Sequence, residues 1–244
     1  VPEKEKAGAV QAPTYRKYMH KPAELATLFS PIWYAAMTDH PVRRPRGTEG
    51  YGETADVLAK SYEGLTFAQV HRDTLPLFPA APASVLDIGA GTGRDAAALA
   101  AMGHAVVAVE PTAELRAHGQ HLHAGVAIEW IDDALPELAA VRALGRRFDL
   151  VLLSAVWMHL DETERPRAMD RVAGLLRPGG LVTLSLRHGP VPAGRRMFEV
   201  TAAETRALAA RHGLSTIHDS ERPALLGGSA VWWSVLAFRV PGAG

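Results

Sequence analysis

From residue 51 onward, helical stretches alternate with short, continuous apolar runs. Gly52 to Leu75 puts Ala55, Leu58, Ala59, Tyr62 and Leu65 on one face, which predicts a single helix ended by Pro76, Pro79 and Pro82. Ser84-Val85-Leu86-Asp87-Ile88 predicts a strand that stops at Gly89-Ala90-Gly91-Thr92-Gly93, and an Ala-rich helix to Met102 follows, closed by Gly103. Further strands are predicted over 105–109, 126–131, 148–153 and 181–186. A helix over 163–176 is stopped by Arg177-Pro178-Gly179-Gly180, and the chain closes with helix 201–211 and strands 214–218 and 231–240. The runs between 85 and 153 are apolar on both faces, as a parallel sheet covered by helices requires. The pattern therefore predicts an α/β fold, a doubly wound and mostly parallel sheet. The last two strands have no helix between them and add an antiparallel C-terminal edge.

The first 50 residues read differently. The opening ten are small and charged with no apolar period, as a disordered tail would be. Residues 12–50 hold Tyr15, Tyr18, Phe29, Trp33 and Tyr34, too aromatic for a free linker, and predict short helices ending in the basic stretch Pro41–Gly47. The chain is thus expected to divide into an N-terminal tail and helical lid, 1–50, and a main domain, 51–244.

Composition narrows the chemistry. Lys plus Arg and Asp plus Glu are both 26, which argues against a dedicated nucleic-acid binder. The absence of cysteine removes disulfides, zinc–cysteine sites and cysteine nucleophiles. No apolar run is long enough to span a bilayer and no signal-like region follows the N-terminus, so a cytoplasmic location is the expectation.

Ligands of an open α/β sheet bind at the carboxyl ends of the strands. The first such end is Asp87-Ile88-Gly89-Ala90-Gly91-Thr92-Gly93, whose glycines admit close backbone approach. The dinucleotide pattern would need glycine at 94, where this chain has Arg94, and Asp87 would repel a pyrophosphate. An acid beside a glycine turn suits a ligand carrying a cationic amine. Asp87 or Glu110 alone reads as an ordinary strand-end acid; their joint placement is what carries weight.

Val85 to Gly93 resembles motif I of the class I S-adenosylmethionine-dependent methyltransferases. Four more landmarks follow in order: Glu110 ending the second strand, Asp133-Ala134 after the third, Phe148 to Ser154, and Leu176-Arg177-Pro178-Gly179-Gly180 before strand five. Tyr51 to Tyr62 resembles the helix that lids the cofactor. The resemblance implies a Rossmann-like, seven-stranded sheet with an N-terminal helical extension, S-adenosylmethionine as cofactor and S-adenosylhomocysteine as product. It places Asp87, Gly89, Ala90, Gly91 and Gly93 at the methionine end of the cofactor, and Glu110 on the ribose with Pro111 beside it. Asp133, with Asp132 as the alternative, meets the adenine, flanked by Ala134; Ser154 and Tyr62 complete the set.

The acceptor belongs beyond strand four, which brings Trp157 and His159 into view. His159 is a candidate general base, its alternative role being to shape the pocket or cap a loop. Arg187, His188, Arg195 and Arg196 lie on a Gly/Pro-rich loop suited to clamping a carboxylate or phosphate, or else form an ordinary basic surface loop. Arg43, Arg44 and Arg46 carry the same two readings. Trp33 and Tyr51 are candidate aromatic contacts to the acceptor, with helix packing the plainer role for Trp33. His118, His121 and His123 have no carboxylate at ligand spacing, and no metal is expected. No Asn-Pro-Pro-Tyr-type tetrapeptide follows strand four, which leaves amino methylation of nucleic-acid bases without its usual signature. The expectation is O- or N-methylation of a small, anionic metabolite by in-line displacement. A protein or RNA methyltransferase and a non-catalytic cofactor-binding module are the alternatives.

Overall fold

Short, largely apolar central runs and more polar flanking strands organise the described residues into one seven-stranded sheet. The computed structural model describes residues 45–226 and 230–242, all within one unit that spans Arg44–Gly244. The readings placed on residues 1–44, Trp33 among them, lie outside the described residues.

The strands are β1 (Ser84–Ile88), β2 (Ala105–Val109), β3 (Ile128–Ile131), β4 (Phe148–Leu153), β5 (Leu176–His188), β6 (Ser215–Pro223) and β7 (Trp232–Arg239). Their order across the sheet is β3-β2-β1-β4-β5-β7-β6. The pairs from β3 to β5 are all parallel, and β7 alone runs against its neighbours. β7 is inserted between β5 and β6, so the edge on that side is β6 rather than the final strand. The central strands are covered on both faces, with Val85, Leu86, Leu150, Val151 and Leu152 at zero exposure, the burial that drives the layered arrangement.

The helices are α1 (Ala55–Glu63), α2 (Phe67–His71), α3 (Arg94–Ala101), α4 (Ala113–Leu122), α5 (Ala139–Ala143), α6 (Glu164–Leu175) and α7 (Ala202–Arg211). The single helix predicted over 52–75 is instead broken into α1 and α2, flanked by 3-10 turns at Gly52–Thr54 and Leu75–Leu77. Gly64 ends α1, and Thr66 restarts the chain with a capping box, its side chain accepting from the Gln69 N–H while Gln69 accepts from the Thr66 N–H. The predicted face survives the break, since Ala55 and Ala59 are buried. Arg177 to Gly180 does not precede β5 but bulges within it: Phe148 pairs with Leu176 and Leu150 with Leu181.

The hydrophobic pattern gives no sign of α4. Its interior Gly119 is where the indole of Trp130 packs against it. A Cβ on Gly119 would lie 2.7 Å from the Thr92 carbonyl oxygen and 2.8 Å from Trp130 Cζ2. Gly119→Ala should therefore lower the melting temperature. The helix-propensity gain of about 1 kcal/mol is outweighed by overpacking of about 1–3 kcal/mol. A thermal melt checks this, and an unchanged or raised midpoint would contradict the packing argument.

Candidate functional site

The carboxyl ends of β1, β2 and β4 open onto one cavity of about 380 Å³, which also reaches Ser185 on β5 and Trp233 on β7. The glycine turn is tied to its neighbour strand: the N–H groups of Gly89 and Ala90 both donate to the Val109 carbonyl, at 2.8 and 2.9 Å. Gly89 has φ +69°, and a Cβ there would run into Val156 of the loop after β4. That loop turns through Ala155, whose φ of +60° puts a non-glycine residue in the left-handed region.

Asp87 is the central group. It is 1% exposed, lines the cavity, and its Oδ2 has no hydrogen-bond partner. Burial, then the negative charge of Asp95, pushes its carboxyl well above the usual range, against the pull of Arg94. A cation entering the cavity would favour the ionised form of this carboxyl and give its free oxygen a partner.

Glu110 is held rigidly at the end of β2. Its Oε2 accepts from the Gly91 N–H at 2.8 Å and its Oε1 from the Thr112 N–H at 2.7 Å. Burial raises its carboxyl pKa, opposed by those two donors. Asp133 is likewise fixed, accepting from the N–H groups of Ala134 (2.8 Å) and Val141 (3.0 Å). Pro111 and Ala134 line the cavity beside these acids. Asp132, the alternative to Asp133, faces outward, 65% exposed, and pairs with Arg116 at 2.8 Å. Tyr62 stands over the glycine turn, where a Cβ on Gly91 would touch its ring at 3.5 Å. Ser154 lines the cavity, whereas Ala90 and Gly93 do not; Gly93 caps α3 and packs against Trp130.

Sequence reasoning missed Asp95. It is 4% exposed and accepts from His71 Nε2 (2.8 Å), Arg94 Nε (2.8 Å) and Ser154 Oγ (3.2 Å). Burial alone would raise its pKa, but His71 and then Arg94 hold it below the ordinary carboxylate value. An acid in the first turn of a helix reads as a routine dipole partner, and only the fold reveals that α2 delivers His71 to it.

Tyr51 and His159 also line the cavity and meet there. The Tyr51 hydroxyl lies 3.0 Å from His159 Nε2, while His159 Nδ1 lies 2.7 Å from the Arg196 carbonyl. A carbonyl only accepts, so Nδ1 carries the proton and Nε2 accepts from Tyr51. Burial lowers the His159 pKa, helped by the charge of Arg195 and opposed by its hydrogen bond to Arg196. Tyr51 is pushed up, first by burial.

The predicted anion clamp is not assembled. Arg196 is held by Asp161 (2.8 Å) and Glu164 (2.9 Å). Arg195 stacks over the Tyr51 ring at 3.8 Å and bonds the Glu49 carbonyl and Thr54 Oγ1. Arg187 bonds Pro190 of its own loop, and His188 stacks on Trp232 at 3.7 Å. None of the four lines the cavity, and neither does Trp157, which is fully buried in the core because the 3-10 turn Trp157–His159 aims it inward. Arg46 and Arg222 line the cavity instead. His118 pairs with Asp56 at 2.8 Å and His123 lies 3.5 Å from Glu63; among the described residues, no three potential ligands converge on a metal position. Nor, among those residues, is any helix long and apolar enough to cross a membrane.

Comparison with known proteins places this geometry in context. Residues 85–180 match a family model described as a methyltransferase domain. An uncharacterized methyltransferase of Mycobacterium tuberculosis is 32% identical over 130 residues, 50% of this chain and 64% of that protein. The match thus spans less than two thirds of the relative's length. Among solved structures, the N-methyltransferase NodS from Bradyrhizobium japonicum WM9, in complex with S-adenosyl-L-homocysteine, is 17% identical with a TM-score of 0.57, covering 72% of this chain and 85% of that one. The 1,6-didemethyltoxoflavin-N1-methyltransferase of Burkholderia thailandensis is 23% identical with a TM-score of 0.54, covering 95% and 93%. These likenesses concern the fold.

Proposed function

We infer from residues 85–180, which carry the methyltransferase-domain match, that the chain is a class I S-adenosylmethionine-dependent methyltransferase, and we propose that it methylates a small molecule bound in the cavity between Asp87 and Trp233. The observation that carries this reading is Asp87, a buried carboxylate with an unpartnered oxygen facing a cavity. A cofactor bearing a cationic amine fits that need, and the clamped carboxylate of Glu110 stands at the next strand end for a diol. Asp133 and Ala134 would hold the base end, and the backbone of the glycine turn would lie along the cofactor. When bound, the cofactor supplies an activated methyl on a sulfonium sulfur. The protein's own share is to hold donor and acceptor in line and to exclude water. Tyr62 over the glycine turn, and the segment 45–54 fastened by Arg195, supply the enclosure.

Support for a small acceptor comes from this enclosure. The anionic part of the reading now leans on Arg46, since Arg195 and Arg196 are engaged elsewhere. Calorimetric titration with S-adenosylhomocysteine, followed by incubation with methyl-labelled S-adenosylmethionine and cell extract, tests the proposal. Binding, with label in the low-mass organic fraction, is the expected result. Label in protein or RNA would overturn the choice of acceptor, and absence of binding would overturn the reading itself.

A further inference from the structure

The half of the cavity not claimed by the cofactor has a composition of its own. Leu65 in the α1–α2 break, Val70 of α2, Leu225 and Leu226 of the β6–β7 connection and Trp233 all line it. Leu225 and Leu226 are 36% and 50% exposed, an apolar rim that water contacts. Trp233 pairs in register with Arg187 on β5 and Arg222 on β6. Arg222 is immobilised by Asp73 at 3.0 Å and by the carbonyl of Val70 at 2.6 Å. Its charge is therefore matched locally, and its buried Nε–H remains without an acceptor. This is an apolar slot with an indole wall and one spare donor, not an anion cradle.

The polar end of the same cavity is Tyr51 with His159. Because His159 Nδ1–H is committed to the Arg196 carbonyl, the Tyr51 O–H is committed to Nε2. The lone pairs of the Tyr51 oxygen are left to accept a hydrogen bond from a donor in the cavity. A relay follows from the connectivity: a proton arriving on Tyr51 displaces the tyrosine's own proton onto His159.

Building on the methyltransferase reading, we propose that the acceptor is a flat aromatic hydroxyl compound, a phenol whose ring lies in the Trp233 slot and whose O–H donates to Tyr51. The step balances. The acceptor oxygen forms a bond to the methyl carbon, and the carbon–sulfur bond breaks with its electron pair retained by sulfur. The hydroxyl proton passes to Tyr51 while the Tyr51 proton passes to His159 Nε2, which leaves a neutral tyrosine and an imidazolium. The groups facing that imidazolium are Arg195 and Arg196, which disfavour it, and Glu49, which favours it. A base weakened in this way serves an acidic aromatic hydroxyl and not an aliphatic alcohol, and an amine acceptor needs no base at all.

The test uses the full chain and 1-naphthol as probe, with 1-naphthylamine and cyclohexanol as controls. S-adenosylhomocysteine binding is measured first, by calorimetry; its absence overturns the methyltransferase reading and this proposal with it. The complex should then bind 1-naphthol in equilibrium dialysis, and Trp233→Leu should weaken that binding about ten-fold. Labelled methyl should pass to 1-naphthol in preference to either control. Tyr51→Phe should weaken naphthol binding by no more than about ten-fold, the loss of one hydrogen bond, but lose about 10²-fold or more in transfer at neutral pH, and its rate should recover where the probe is itself ionised. His159→Gln should show the same alkaline rescue. With cofactor binding intact, failure of the complex to bind or methylate 1-naphthol, preferential methylation of the amine, or a Tyr51→Phe defect that persists at alkaline pH each overturns the phenol assignment and leaves the cofactor site standing.

Discussion

Asp87→Asn is expected to weaken S-adenosylhomocysteine binding by about 100-fold or more while making the ligand-free protein more stable. The two effects have one origin. The native state holds a carboxyl group that is 1% exposed, with an oxygen lacking a partner and with burial and the charges of Asp95 and Glu110 all opposing its ionisation. Replacing the ionisable group by an amide removes that opposition, a gain of about 1–3 kcal/mol on the scale of burying an unsatisfied group. The same substitution removes the counter-charge for the cofactor's amine, and losing one partner of a buried pair costs about 3–5 kcal/mol. Calorimetry with S-adenosylhomocysteine and a thermal melt without ligand read the two signs separately. Wild-type affinity in the variant would sink the assignment of Asp87 to the cofactor.

Asp95→Ala should do the reverse and destabilise the ligand-free fold strongly. His71, Arg94 and Ser154 all donate to this carboxylate, and the variant strands the first two in or near the core, a loss of about 3–5 kcal/mol. Relief of Asp87, which Asp95 repels, offsets part of it. The pH dependence has a definite sign. The native pKa of Asp95 lies below the ordinary value of 3.8, so its stabilisation is fully present above 3.8 and is lost as pH falls below that value toward the native pKa. Denaturant melts of wild type and variant should differ most at neutral pH and converge in acid. A constant difference down to strong acid would show that packing, and not the buried ion cluster, is responsible.

The sheet was legible where burial is two-sided. β1, β2 and β4 are runs of Val, Leu, Ile and Ala with almost no polar break, and a parallel strand covered on both faces has no other way to look. β6 reads poorly because an edge strand alternates between partly covered and exposed, and Ser, Thr and charged residues suffice for it. α4 was hidden because of its residues only Leu115 and Gly119 are buried, too few to print an apolar stripe. The break between α1 and α2 could have been read from Gly64 and the Thr66…Gln69 pair, a capping signal inside an otherwise continuous helical period.

The acids of the cavity were legible for a topological reason, since Asp87 lies near the carboxyl end of a parallel strand, Glu110 and Asp133 follow the ends of two others, and such ends converge. The loop arginines were not. Whether Arg195 and Arg196 face a ligand or the protein depends on where Asp161, Glu164 and Tyr51 are brought by other segments, and local sequence holds no record of that. His71 and Asp95 are likewise joined by tertiary structure alone.

The place of β7 between β5 and β6 bears on how the chain comes off the ribosome. β5 is synthesised before β6, and β6 before β7, yet β5 and β6 do not pair with each other and each has β7 as its neighbour on this side of the sheet. Until residues 232–239 emerge, the β5 edge, with Leu181, Val182, Leu184 and Leu186 along it, stands open to any extended partner. The protein is thus most exposed to misassociation in the interval between the emergence of β5 and that of β7, and β7 serves as the seal.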